Sequence, residues 1–186
     1  MKKWLKIWML LDRFYFSCSR LHYVNRENKN IFRVKLITYR GRKISLANGN
    51  WVQANDLMVK IHLHNCLLMS EIAHIKSGIK RALYIYQRVE SSLPGLADFI
   101  AKHPKSDSIK GILGVTVLSR GVEHLGFEVK DIPNLYYQKM RQLYMKPLFI
   151  LSSSNHMKEA WKKDKFVPKF LVMSKDQIFS RYLQEA

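Results

Sequence analysis

The 186-residue chain is 47% apolar and 12% aromatic, with eight glycines and five prolines, enough for a sizeable core and against disordered, collagen-like or solenoid classes. Its 32 Lys and Arg outnumber 14 Asp and Glu for a net charge of +18, so an anionic partner is expected: nucleic acid, acidic lipid, or a phosphate-bearing metabolite or polymer. Residues 1–43 alone hold twelve Lys and Arg against two Asp and Glu, which makes the amino-terminal region the anion-facing end.

The opening, from Met1 to Phe16, has tryptophans and aliphatics broken by Lys6, Asp12 and Arg13. It lacks the roughly twenty apolar residues of a membrane span and the small-residue site of a signal peptide. At helical spacing Trp4, Ile7, Trp8, Leu11, Phe14 and Tyr15 form one stripe and Lys3, Lys6 and Arg13 the other side, predicting an amphipathic basic helix within residues 1–25. Two readings stay open for it. One is an in-plane membrane anchor using Lys3, Trp4, Lys6 and Trp8; the other is a helix docked on its own domain.

Residues 31–39 alternate with period two, Phe32, Val34, Leu36 and Thr38 facing one way and Ile31, Arg33, Lys35 and Ile37 the other, as in a half-buried strand. A turn at 40–43, a short strand at 44–46 and the Asn48-Gly49 hairpin signal suggest a β-meander. A further strand at 57–64 sets Leu57, Val59, Ile61 and Leu63 against Met58, Lys60, His62 and His64. Helical periodicity runs from about 67 to 90, and Pro94 is placed in the first turn of a second, shorter helix that ends before His103-Pro104. Residues 109–118 read as a central strand whose glycines admit a neighbouring backbone, followed by a brief strand at 127–129, a helix at 135–145 and a strand at 147–151. The remainder, 152–186, reads as a C-terminal extension with a basic stretch at 158–169 and an amphipathic segment at 176–183. The whole is predicted to be one α+β domain, a small, mostly antiparallel sheet packed against two or more helices, with the N-terminal amphipathic helix added. Cys18 and Cys66 form no CxxC pair and read as core thiols of a reducing compartment.

Chemistry concentrates in the run Ile61-His62-Leu63-His64-Asn65. With Lys60 and Arg81, it could form an anion-binding wall, Asn65 capping the helix that follows. His62 and His64 are also the candidates for a general base, and with Glu71 and His74 they are a possible ligand set for a divalent transition metal. The bland alternative is a solvated sheet face. No GxSxG elbow, Walker loop, dinucleotide fingerprint or HExxH run occurs. Tyrosines beside Lys and Arg, such as Tyr84, Tyr86, Tyr136, Tyr137 and Tyr144, offer a looser case for nucleic acid.

Several segments in order resemble the YkoP-like domain family of Bacillus-type bacteria: Asn30 to Val34, Asp56 to Asn65, Arg81-Ala82-x-Tyr84-Ile85-Tyr86, Ser92 to Ala97, Ile109 to Gly114 and Leu125 to Val129. The resemblance covers about residues 4–150. The resemblance implies kinship with modules found attached to polysaccharide deacetylase domains, and hence a place in envelope polymer or lipid-linked glycan metabolism. No deacetylase metal motif is present in this chain. The expectation is an accessory module, cytoplasmic and peripheral to the inner membrane face, that binds anionic lipid or a phosphate-bearing envelope precursor beside envelope glycan enzymes. The alternatives are an enzyme of envelope polysaccharide or phospholipid metabolism and a nucleic-acid-binding protein.

Overall fold

The computed structural model describes residues 20–25, 27–116, 119, 121–140 and 167–183. Strands β1 (His22–Tyr23), β2 (Phe32–Thr38), β5 (Leu57–Leu63), β6 (Ile109–Thr116), β7 (Glu128–Asp131) and β8 (Lys169–Ser174) form a six-stranded sheet in the order β1-β2-β5-β6-β8-β7. Among the described residues only the β5–β6 pair is parallel. A parallel pair needs a crossover, supplied here by helices α1 (Asn65–Ile72) and α2 (Gly78–Ala101). Helix α3 (Lys175–Tyr182) follows β8. The class is therefore α+β with a mostly antiparallel sheet, as the sequence predicts.

The period-two patterns of β2 and β5 decide which face is covered by helices. Phe32, Val34, Leu36, Val59 and Ile61 pack in one cluster with Leu93, Leu96, Ala97 and Ile100 of α2 and Ile178 of α3. On the opposite face Ile37, Met58, Leu113, Phe170 and Val172 pack under the hairpin residues Ile44, Leu46 and Val52 and against Tyr137. That hairpin, β3 (Ile44–Ser45) with β4 (Trp51–Val52), turns through Asn48-Gly49. It forms its own two-stranded sheet while β2 pairs directly with β5. The predicted meander is thus interrupted: the hairpin caps the sheet instead of extending it.

Three other expectations change. The helical run from 67 to 90 divides at residues 73–77, because Ser77 caps α2, its side chain accepting the Lys80 amide. Pro94 lies inside the continuous 24-residue α2 rather than opening a new helix; complete burial of Leu93, Leu96, Ala97 and Ile100 outweighs the missing donor. Lastly, residues 169–174 are no extension, since β8 sits between β6 and β7 and its Met173 and Val172 are fully buried. The N-terminal amphipathic helix, Cys18 and the expected strand at 147–151 lie outside the described residues, while Cys66 is buried.

Candidate functional site

Antiparallel register places a compact set of cations on the sheet face opposite the helices. Arg33 is directly across from His62 and Lys35 directly across from Lys60, while Tyr23 of the edge strand β1 pairs with Arg33. Arg33 is only 3% exposed, and Lys35, Lys60, His62, His64 and Tyr23 are half-buried. The Arg33 guanidinium stacks 5.2 Å from the Tyr23 ring centroid and Nη2 donates to the Tyr23 hydroxyl at 3.3 Å. The other edge of Tyr23 meets the His64 ring, centroids 5.8 Å apart at 63°. One ring thereby ties the buried arginine to the histidine that follows β5.

Such a face can receive an anion. Arginine presents a fork of donors, lysines add point charges, and imidazoles donate through ring N–H groups. Like charges directly opposite on a sheet repel, and Lys35 stands directly across from Lys60. The strip continues across the parallel pair to Leu113, partner of Lys60, where the apolar ground beneath the hairpin begins.

The residues singled out from sequence separate into two groups. Lys60, His62 and His64 are brought together, and Tyr23, Arg33 and Lys35 join them. The alternation of residues 31–39 already put Arg33 and Lys35 off the core face; the missing step was that β2 and β5 pair across the hairpin excursion. Asn65 is not the helix cap. The His64 amide donates to Ile31 O at 2.7 Å, which prolongs strand pairing by one residue, so His64 holds the cap position, without a side-chain cap bond, and Asn65 is the first helical residue. Arg81 sits on the first turn of α2, where its Nε donates to Ile75 O at 2.5 Å. It braces the turn between α1 and α2, on the helix-covered side of the sheet, whereas Lys60 and His62 belong to the other side.

The metal set is not assembled either. Glu71 is engaged by Arg88, Nε to Oε2 at 3.1 Å and Nη2 to Oε1 at 3.3 Å, and Arg88 Nη2 also donates to Lys29 O at 2.8 Å. His74 lies exposed beyond the end of α1. Among the described residues no group of three or more His, Cys, Asp and Glu is placed to hold a metal ion, so His62, His64, Glu71 and His74 do not converge. Lys3, Trp4, Lys6 and Trp8 lie outside the described residues. No helix among the described residues is long and apolar enough to cross a membrane.

The segments that carry the family resemblance interlock in this fold. Asn30, itself buried, donates through Nδ2 to Ser92 O at 2.9 Å and accepts the Phe32 amide at Oδ1, while the Ile31 amide donates to Ser92 Oγ at 3.3 Å. A Cβ on Gly95 would come within 2.8 Å of Asn30 Nδ2, so the glycine one residue after Pro94 lets this clasp close. A model of the YkoP domain matches residues 1–182. The chain belongs to the YkoP domain family. Its YkoP domain runs past residue 150 because β8 and α3 complete the sheet and its helical layer. The chain is 42% identical over 149 residues to the protein of Bacillus subtilis (strain 168) called "Uncharacterized protein YkoP", covering 80% of this chain and 81% of the relative. No solved structure matches the chain. The cation strip of this YkoP domain lies next to the Asn30–Ser92 clasp, at the end of the sheet where Phe32 pairs with Leu63.

Proposed function

We propose that this protein is an accessory binding module of the cytoplasmic membrane surface whose basic sheet face holds a phosphate-bearing anion, either an acidic lipid headgroup or the phosphate of an envelope glycan precursor. One observation carries the reading: Lys35 faces Lys60, next to Arg33 facing His62, on a single sheet face. A phosphate bound there lies between Lys35 and Lys60 and accepts several charge-assisted hydrogen bonds at once. The basic surplus supports an anionic ligand, and the family resemblance supports the choice of an envelope phosphate.

The test uses inorganic pyrophosphate as the probe on the full chain. Saturating pyrophosphate raises the unfolding midpoint by about 4 °C, Lys35→Gln/Lys60→Gln abolishes the rise while retaining a cooperative transition, and Lys35→Arg/Lys60→Arg preserves it. A flat response of the unsubstituted protein, or an equal rise in the Gln variant, overturns the reading. Vesicles of phosphatidylglycerol with phosphatidylcholine distinguish the sources. If the ligand is a headgroup, the Gln variant binds vesicles more weakly than the parent and millimolar pyrophosphate lowers binding of the parent; if it is a soluble phosphate, the Gln variant binds vesicles as the parent does.

A further inference from the structure

Helix α2 is longer than the sheet it covers. Its 24 residues extend about 36 Å, against about 23 Å for the seven residues of β5. The buried part, from Ser92 to Ile100, lies over the sheet, with Ser92 held at the strand end by Asn30 and Ile31. The residues before it therefore run past the end of β5, toward the same end of the molecule as His64. On this overhang Ile79 is 83% exposed and Leu83 55% exposed. They are one turn apart and form a single apolar spot. Around them Lys76, Lys80 and Gln87 are also exposed. Residues 73–89 contain Lys76, Lys80, Arg81 and Arg88 and neither Asp nor Glu.

We infer that the overhanging first turns of α2 are a docking surface for an anionic lipid bilayer, with Ile79 and Leu83 entering the interface and Lys76 and Lys80 against the headgroups. Charge complementarity selects this occupant. Arg88 is paired with Glu71 and Arg81 braces the turn before the helix, but the exposed Lys76 and Lys80 meet a negative surface with a gain at each, and two bare aliphatics beside them add the apolar term that a purely electrostatic contact lacks. The surface is separate from the sheet-face cations, so it places the protein on the membrane whether or not pyrophosphate binds to Lys35 and Lys60. It also orients the molecule: the end of the sheet that carries His64 faces the bilayer.

The experiment is cosedimentation of the full chain with vesicles of equal phosphatidylglycerol and phosphatidylcholine. The expected result is binding that weakens steeply as salt rises, a fall of about tenfold in partition for Ile79→Ser/Leu83→Ser, and a comparable fall for Lys76→Gln/Lys80→Gln. Both pairs are exposed, so their unfolding midpoints should match the parent, and both keep the pyrophosphate response of the sheet face. Partition of either pair equal to that of the parent overturns the inference. So does loss of self-association in Ile79→Ser/Leu83→Ser with vesicle binding unchanged, which would assign the spot to a second copy of the chain. Retained docking with no pyrophosphate response in the parent would sink only the sheet-face site.

Discussion

Asn30 shows how much a single side chain contributes to this architecture. It satisfies the Phe32 amide and reaches across to Ser92 O, so the start of β2 and the middle of α2 are joined by polar bonds in addition to their apolar packing. Buried polar groups joined in this way are costly to break, since each partner left behind is desolvated without compensation. Tyr39 belongs to the same class. Burial pushes its phenol pKa above the ordinary 10.0, and its hydroxyl donates to Arg42 O at 2.8 Å. A raised folded-state value means that the fold prefers the neutral phenol: its contribution is complete below about pH 10 and disappears as pH climbs through the higher folded value. Thermal unfolding of Tyr39→Phe should therefore lose less stability than the parent between about pH 9.5 and 11. Parallel alkaline losses in the two proteins would refute this.

At the scale of elements, the close contact of β6 with β8 carries the most weight. A Cβ on Gly111 would collide with Met173 O, and its nearest neighbours are all β8 backbone, which leaves no flexible group to move. Gly111→Ala is accordingly expected to cost about 3 kcal/mol in denaturant unfolding; a cost near zero would mean that the two strands separate easily. That a neighbouring backbone approaches these glycines was readable from the β6 segment, but the identity of the neighbour was not. Residues 169–174, Lys-Phe-Leu-Val-Met-Ser, lack the alternation that exposed β2 and β5, because β8 is buried on both faces, and a short apolar run of that kind has no diagnostic period. The break between α1 and α2 was hidden differently. Ile72, Ile75 and Ile79 keep helical spacing straight through it, leaving the Ser77 cap as its local mark. Pro94 misled in the opposite direction: it is a local break signal overridden by tertiary burial.

For the molecule as a whole, two groups of cations among the described residues lie near one end of the sheet, the sheet-face strip of Arg33, Lys35 and Lys60 with His62 and the overhang of α2. Half of the strip was legible, since the alternation of β5 put Lys60 and His62 on one side. Its other half depended on long-range pairing of β2 with β5, which joins residues 33 and 62 across an intervening hairpin and which no local pattern encodes. The metal set failed for a related reason: residues close in sequence, His64, Glu71 and His74, are spread by a helix whose Glu71 turns toward Arg88. The central claim is that an anion sits on the sheet face, and amide chemical shifts of isotope-labelled full chain titrated with pyrophosphate report on it residue by residue. Saturable shifts centred on Tyr23, Arg33 to Lys35 and Lys60 to His64 are the predicted result, whereas shifts confined to α2 or to the hairpin, with those amides unmoved, would contradict it.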